Sequence, residues 1–156
     1  MEGDEEGWWD IYGGGLNLAP SVTLLRGVGS CGRAAAAKTV DKTWKLKIHG
    51  KAQKTGTPGH EFRTYREAIK TAKDPDAISV HLNSGYNRAL GLKPKTISPN
   101  RRPDVLTLYR NFSVRRVEVQ SRTDIPAVLR SRNTGLDLQL IDLGFTPLPP
   151  VVIRPH

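Results

Sequence analysis

The sequence predicts a mixed α/β domain, and three observations lead to that class. Apolar residues with helical spacing precede Asp74-Pro75, two β-rich runs follow each other closely between residues 105 and 120, and a new helix start is marked at Pro126. A chain of 156 residues normally holds one compact domain. The predicted order is helix, antiparallel strand pair within a mixed sheet, helix and strand.

Residues 1–40 differ from the rest in composition. They contain the triplet Gly13–Gly15 and the run Ala34–Ala37, and they lack sustained helical or strand periodicity. The glycine triplet is not followed by the Lys-Ser/Thr pair of a phosphate-binding loop. We therefore expect a flexible leader or junction over residues 1–40 and the folded domain over residues 41–156.

The first predicted elements are a short strand and a long helix. Trp44, Leu46 and Ile48 alternate as in a strand. The sequence Thr57-Pro58-Gly59 is a helix-start signal, and the helix ends before Asp74-Pro75 because proline disfavours helical geometry in the residue before it. The apolar face of this helix comprises Phe62, Tyr65, Ala68, Ile69 and Ala72.

The second half contains the clearest pattern. Residues 77–92 fit either strand or helix, and residues 93–103 form a proline-rich loop. The runs Val105–Tyr109 and Val114–Gln120 predict an antiparallel hairpin. A helix follows, with Asp124 as its N-cap, Pro126 in its first turn and Gly135 at its end. The apolar residues from Leu136 to Leu143 predict a last strand before an extended, proline-rich tail.

Charge and cysteine content limit the function classes. The chain carries 24 Lys and Arg against 15 Asp and Glu, and five of the acids lie in the first ten residues, so residues 11–156 hold 24 bases against 10 acids, a net charge of +14. Such a surface attracts polyanions, above all nucleic acid; a solubilising surface, an anionic lipid or an acidic partner protein is the alternative. Cys31, the single cysteine, excludes an intramolecular disulfide and a thiolate zinc site. No apolar run is long enough to span a membrane.

Two acidic residues on the predicted hairpin are the strongest candidates for chemistry. Pro103-Asp104 heads the first strand, and Glu118 lies on the second with Gln120 on the same face. Two converging carboxylates form a hard oxygen site suited to Mg²⁺ or Mn²⁺. Alternatively, Asp104 caps the loop and Glu118 pairs with Arg102 or Arg116. The expected basic rim for a phosphate backbone consists of Arg101, Arg102, Arg115, Arg116, Arg122 and Arg130.

With these motifs in place, residues 59–133, about half of the chain, resemble the PD-(D/E)xK nuclease superfamily. The segments that carry the resemblance are Gly59-His60-Glu61, Asn100 to Asp104, Val117 to Ser121 and Thr123-Asp124 with the following helix. They look most like the C-terminal toxin domains of bacterial polymorphic toxins of the contact-dependent inhibition and Rhs types. The resemblance implies a restriction-endonuclease-like core of helix, three strands, helix and strand.

The resemblance also implies an activity and its residues. Asp104, Glu118 and the Val119 carbonyl would hold the metal, and Glu61 would be the helix acid. Gln120 stands where the superfamily usually has the lysine that orients the attacking water. Either a nearby arginine such as Arg122 or Arg130 supplies the missing charge, or the activity is weaker or altered. The expected activity is metal-dependent hydrolysis of phosphodiester bonds in DNA or tRNA. The protein would be secreted or delivered from a bacterium, act in the target-cell cytoplasm, and be neutralised by an acidic immunity protein.

Other residues and other function classes stay open. His60, beside Glu61, is either a proton-transfer group or a residue that caps the helix. His49, His81 and His156 lack the spacing of zinc ligands. The alternatives to a nuclease are a non-catalytic, basic nucleic-acid-binding module and a protein-interaction or translocation domain.

Overall fold

The structure, a computed structural model, describes residues 42–154, and the leader expected over residues 1–40 lies outside this range. A 3-10 helix, Thr43–Lys47, comes first. The strands are β1 (Ile48–Gly50), β2 (Ala77–Leu82), β3 (Val105–Tyr109), β4 (Ser113–Val119), β5 (Thr146–Pro147) and β6 (Val151–Ile153). The α-helices are α1 (His60–Ala72), α2 (Tyr86–Ala89), α3 (Pro126–Thr134) and α4 (Asp137–Asp142). The mixed α/β class is thus confirmed.

All six strands belong to one mixed sheet. The order is β1-β2-β3-β4-β5, and β6 also pairs with β4. Strand β1 runs parallel to β2, β3 is antiparallel to both β2 and β4, and β5 and β6 are parallel to β4. Helix α1 connects the parallel pair β1 and β2, while α3 and α4 lie between β4 and the C-terminal strands.

Apolar side chains cover both faces of the sheet. On one face, Ala68 and Ala72 of α1 pack with Val80 of β2, Val105 of β3 and Val117 of β4. The core on the other face combines α2, α4 and alternate residues of β3 and β4, namely Tyr86, Ala89, Leu90, Ile97, Leu106, Val114, Leu136 and Leu140. Because strand side chains alternate between faces, one sheet supplies both cores.

The long helix and the hairpin agree with the sequence patterns. Helix α1 begins after Gly59, whose φ of +77° lies in the left-handed region, and ends before Asp74-Pro75. Strands β3 and β4 pair with Val105 opposite Val117 and Leu108 opposite Val114. Both predictions hold because the local pattern and the tertiary packing favour the same element.

The strand predicted over residues 44–48 is mostly wrong. Residues 43–47 form the 3-10 helix, and only Ile48 belongs to β1. In a 3-10 helix, residues three apart face the same side. Trp44 packs against the core beneath α1, and the Lys47 ammonium donates to the Asp74 carbonyl over 2.9 Å. The 3-10 helix therefore turns both side chains towards the rest of the fold.

The C-terminal elements differ most from the expectation. The run predicted as the last strand is helix α4, in which Leu136 and Leu140, four residues apart, are buried while Leu138 and Ile141 are exposed. Helical spacing therefore decides which leucines reach the core. The predicted extended tail instead contains β5 and β6, and Val151 of β6 lies opposite Val117.

The cap of α3 also differs from the prediction. Ile125 is the N-cap residue, and Pro126 occupies the first turn, where no backbone N–H is required. Asp124 instead accepts hydrogen bonds from the Ser121 N–H and hydroxyl, at 2.7 and 2.6 Å. These bonds hold the pKa of Asp124 below its usual range. Gly135 ends the helix as expected.

Between residues 42 and 154, no helix combines the length and the apolarity that a membrane span requires.

Candidate functional site

The two candidate carboxylates meet at one end of the sheet. Val105 pairs with Val117 in the antiparallel β3–β4 ladder, so the next step of the register brings Asp104 opposite Glu118. Directly opposite residues of such a pair have Cβ atoms about 4.5–5.5 Å apart. Both side chains are buried, Asp104 at 7% and Glu118 at 5% exposure. The register therefore places the two residues opposite each other on the same face of the sheet, as the site prediction requires.

Asp104 is held by groups from β4 and from the start of α1. Its Oδ2 accepts a hydrogen bond from the Val119 N–H over 2.7 Å, and His60 Nε2 lies 3.5 Å from the same oxygen. His60 itself is 2% exposed, and its Nδ1 has no hydrogen-bond partner among the described residues. His60 is therefore part of the carboxylate site, because its ring faces Asp104 and is enclosed by the fold.

Glu118 is held by two consecutive residues of α3. Its Oε1 accepts hydrogen bonds from Asn133 Nδ2 at 2.9 Å and from Arg132 Nη2 at 3.2 Å. Among the described residues, the hydrogen bonds to these carboxylates use only Asp104 Oδ2 and Glu118 Oε1. The second oxygen of each carboxylate is free of such a bond and can accept another ligand.

A buried chain of hydrogen bonds fixes Asn133 in turn. The Tyr86 hydroxyl donates to Asn133 Oδ1 over 3.0 Å, and Arg116 Nη1 donates to the Asn133 carbonyl over 2.9 Å. Burial is the main reason why the pKa of Tyr86 rises to about 12, so the phenol keeps its proton and remains a donor. The orientation of Glu118 thus depends on α2, α3 and β4 together.

Burial also changes the acidity of Asp104. It raises the pKa of this carboxyl to about 6, the Val119 N–H bond and the nearby His60 oppose the rise, and the charge of Glu118 adds to it. Two buried carboxylates that repel each other form a site that a cation would stabilise.

Glu61 and Gln120 lie near this site but have other immediate surroundings. Glu61 is half-buried in the first turn of α1, one residue after His60, and no described contact joins it to Asp104 or Glu118. Gln120 follows β4, and its Nε2 donates to the Asp124 carbonyl over 2.7 Å. The amide of Gln120 therefore closes the loop before α3, while its Oε1 stays free of a described hydrogen bond.

The predicted basic rim divides into surface and internal residues. Arg101, Arg102, Arg122 and Arg130 are exposed. Arg115 instead forms an ion pair with Glu67 of α1 at 3.2 Å. Arg116 is fully buried and donates to the Asn133 and Leu148 carbonyls and to Asp137, so the expectation that it contacts nucleic acid is wrong. Val114, two residues earlier on the same face of β4, belongs to the core with Leu106 and Leu140, and the guanidinium lies on this enclosed face.

A shallow groove of about 570 Å³, open to solvent, lies beside α3. Its lining residues are Arg101, Ala127, Val128, Ser131 and Arg132. Arg132 therefore links the groove to Glu118, whereas Arg122 and Arg130, the expected replacements for the missing lysine, have no described bond to either carboxylate.

The sequence pattern missed Arg132, Asn133 and Tyr86 as site residues. One signal was present: Leu129, Asn133, Leu136 and Leu140 have helical spacing, and Asn133 is a polar residue on an otherwise apolar face. A buried amide requires partners, so this position pointed to a polar network.

The donor set fits a small divalent cation bound with water. Within residues 42–154, no three His, Cys, Asp or Glu side chains form a group that could hold a metal ion. Mg²⁺, however, is commonly bound by one or two carboxylates, with waters and substrate phosphates completing its shell. Asp104 and Glu118 each have one unbonded oxygen, and their mutual repulsion favours a cation between them. The Val119 carbonyl remains a predicted third ligand.

Neither a protein-family model, nor a curated protein, nor a solved structure matches this chain. The buried carboxylates, their donors and the groove beside α3 are therefore the observations on which a function has to rest.

Proposed function

We propose that this protein is a metal-dependent nuclease that hydrolyses phosphodiester bonds of DNA or tRNA. The observation that carries the proposal is the pair Asp104 and Glu118, buried at one end of adjacent strands and open to a further ligand on one oxygen each. The element order α1, β2, β3, β4, α3 and β6, with β6 parallel to β4, supports a restriction-endonuclease-like core of the PD-(D/E)xK type.

In the proposed reaction, the protein holds the phosphate and the water in fixed positions. Asp104 and Glu118 would hold Mg²⁺ or Mn²⁺, which when bound supplies a more acidic water and positive charge beside the phosphate. The Val119 N–H and Asn133 each fix one oxygen of a carboxylate, so that both side chains are held in place and the other oxygen of each is left for a ligand. Such preorganisation lowers the cost of reaching the transition state.

Arg132 and Gln120 take the place of the usual lysine. The Arg132 guanidinium lies 3.2 Å from Glu118 Oε1 and also lines the groove beside α3, so it can meet a phosphate there. Gln120 Oε1 can accept a hydrogen bond from the attacking water while its Nε2 remains on Asp124. In the superfamily, one lysine supplies positive charge and orients the attacking water. Here Arg132 would supply the charge and Gln120 would orient the water.

The biological role we propose is that of a toxin domain delivered from a bacterium into a target cell. An acidic immunity protein would cover the exposed bases in the producing cell, since the surface that attracts a phosphate backbone also attracts carboxylates. Arg101, Arg102, Arg122 and Arg130 are the exposed bases in question.

The proposal is tested with isosteric variants of the two carboxylates. Asp104→Asn and Glu118→Gln keep the side-chain volume but remove the charge, and we expect each to lower cleavage of plasmid DNA or tRNA with Mg²⁺ by about 100-fold or more. Asp76→Asn is the matched control, because Asp76 is exposed at the other end of β2. Chelation of the metal with EDTA is expected to stop cleavage by the unmodified protein. Full activity of both variants, with circular dichroism unchanged, would reject this active site.

A second candidate function rests on the ion pair between Arg132 and Glu118. If the pair is purely structural, the protein is a basic nucleic-acid-binding module without catalysis. It would then bind nucleic acid with or without metal, with a steep salt dependence, and yield no product in long incubations.

A further inference from the structure

A second polar pocket lies at the same end of the sheet as the carboxylates. Its volume is about 260 Å³, and it is formed where β1 and β2 end and α2 begins. The residues with polar side chains in its lining are His49, Lys51, His81, Asn83, Ser84 and Arg88. None of its eight described lining residues is acidic.

The strand register relates this pocket to the proposed active site. His49 pairs with His81 and His81 with Leu106, while Leu106 pairs with Arg116, so the four residues form one row on a single face of the sheet. Glu118 is two residues beyond Arg116 and therefore lies on that face, nearer the sheet end. The two sites are also joined directly, because the Asn83 N–H donates to the Asp104 carbonyl over 3.0 Å.

Glycine at position 50 shapes the floor of the pocket. Gly50 has a φ of +87°, and a Cβ atom there would lie 2.7 Å from the Leu82 carbonyl oxygen. Any other residue would therefore separate the ends of β1 and β2. The close approach of the two strand ends brings the His49 and His81 rings into a stack with centroids 4.9 Å apart.

The pocket has a positive electrostatic character. Burial, and then the charges of His49 and Arg88, lower the pKa of His81 to about 4, so its ring is neutral at pH 7 and offers one N–H and one free nitrogen. Lys51 and Arg88 are exposed at the rim and contribute fixed positive charge. Among described contacts, neither cation is paired with a carboxylate.

We propose that this pocket binds a phosphate group, and that the group belongs to the backbone of the nucleic acid that crosses this end of the sheet. Lysine, arginine, imidazole N–H and the polar groups of Asn83 and Ser84 are the donors that a phosphate accepts. The pocket spans β1 and β2, and the carboxylates lie on β3 and β4, with neighbouring strands about 4.8 Å apart. The pocket would thus hold a phosphate beside the one that is cleaved. Binding of a phosphate group by the pocket does not depend on the proposed nuclease activity. The assignment of that phosphate to a nucleic-acid backbone does rest on the proposed function.

Phosphate binding can be tested on the full chain in EDTA, where no cleavage is expected. The probe is inorganic phosphate, and the readout is the NMR signals of the His49 and His81 rings, assigned with His49→Gln and His81→Gln. We expect both signals to shift saturably, and Arg88→Gln or Lys51→Gln to weaken the binding about tenfold. Arg110→Gln at the other end of the sheet and Lys70→Gln on α1 are the charge-matched controls, for which we expect less than about a twofold change.

Three results would overturn the pocket as a phosphate site. The ring signals could stay unchanged, sodium chloride of the same ionic strength could reproduce the shifts, or Arg110→Gln could weaken binding as much as Arg88→Gln. A single-stranded oligonucleotide without terminal phosphates then tests the source: competition with phosphate supports the nucleic-acid backbone, and lack of competition rejects it. Phosphate binding by a chain that never cleaves nucleic acid would reject the nuclease proposal alone.

Discussion

Asp104 and Glu118 are buried to nearly the same extent but are held by different kinds of donor. A backbone N–H of β4 fixes Asp104, whereas two side chains of α3 fix Glu118. Because the N–H belongs to Val119, the residue directly after Glu118, a movement of β4 displaces both carboxylates together. Their separation is thus set by the strand pairing, whereas the orientation of the Glu118 side chain also depends on α3 and on the residues that fix Asn133.

At the residue scale, we predict that Arg132→Gln lowers the turnover number about 10- to 100-fold. The guanidinium is the cation closest to Glu118 among the described hydrogen bonds, and it reaches the groove. Arg132→Lys keeps the charge without the planar guanidinium, so its turnover number should lie between those of the unmodified protein and Arg132→Gln. Steady-state cleavage kinetics with Mg²⁺ measure the effect, and Arg110→Gln serves as the control. Unchanged turnover in Arg132→Gln would contradict this role of Arg132 and favour Arg122 or Arg130 as the source of the charge that the usual lysine supplies.

His81 predicts a pH dependence of stability. Its pKa is lowered from 6.5 to about 4 in the folded chain, so the unfolded chain binds more protons between these values. Stability is therefore full above about pH 6.5 and is lost as the pH falls towards 4. The ring is half-exposed and solvent screens it, so we expect no more than ~1 kcal/mol.

Urea unfolding at a series of pH values, compared with His81→Gln, isolates this contribution. The difference in unfolding free energy between the two proteins should change between pH 6.5 and 4, with the unmodified protein losing more stability on acidification. Parallel pH curves would show that His81 does not carry the effect.

Strand alternation was enough to predict that Asp104 and Glu118 converge, but not which side chains surround them. The hairpin is a local feature, since its two runs are neighbours in sequence. His60, Tyr86 and Asn133 reach the site from three different helices, and their approach depends on how those helices pack on the sheet. Periodicity within one element carries no information about which other element it meets.

At the element scale, the region from Leu136 to Leu143 shows why the last strand was misplaced. Leu136, Leu138 and Leu140 alternate as in a strand, yet Leu136 and Leu140 also have helical spacing. The fold buries only the latter two, under β3 and β4. A short apolar run fits the period of a strand as well as that of a helix. The place beside β4 is occupied by Val151–Ile153, and residues 137–142 form a helix instead.

The buried Arg116 joins β4 to the C-terminal elements. Its guanidinium donates to the Asn133 carbonyl of α3, to Asp137 of α4 and to the Leu148 carbonyl before β6. The side chain is fully enclosed, so the bonds of its two terminal nitrogens replace those it would make with water, while its Nε–H has no partner among the described residues. Arg116 therefore holds three elements at one point of the sheet.

We predict that Arg116→Ala lowers the free energy of unfolding by about 3–5 kcal/mol, because it leaves buried acceptors and the Asp137 carboxylate without their partner. The surface variant Arg110→Ala should change it by less than about 0.5 kcal/mol. Denaturation in urea, followed by circular dichroism, measures both. A small loss in Arg116→Ala would contradict the prediction and show that the buried carbonyls and Asp137 are solvated without the guanidinium.

At the scale of the whole molecule, the unevenly distributed positive charge determines where a polyanion is attracted. Part of the net charge of +14 over residues 11–156 cannot contact a polyanion, because Arg116 is buried and Arg115 is paired with Glu67. Arg101 and Arg102 remain exposed in the loop that leads to Asp104, and Arg122 and Arg130 flank the start and the middle of α3. The accessible bases thus lie in the loop before Asp104 and in and just before α3, the helix whose residues hold Glu118.

The salt dependence of binding tests whether this border contacts the phosphate backbone. Each phosphate contact that releases a counterion contributes about 0.7–0.9 to the slope of log affinity against log salt, so Arg101→Gln/Arg102→Gln should reduce the slope by about 1.4–1.8. Arg66→Gln/Arg110→Gln removes the same charge from exposed positions on α1 and at the opposite end of the sheet, and should change the slope by less than half as much. Fluorescence anisotropy with a labelled oligonucleotide in EDTA measures both slopes without cleavage. Equal reductions in the two double variants would mean that nucleic acid responds only to the total charge, and the loop before Asp104 would lose its assigned role in binding.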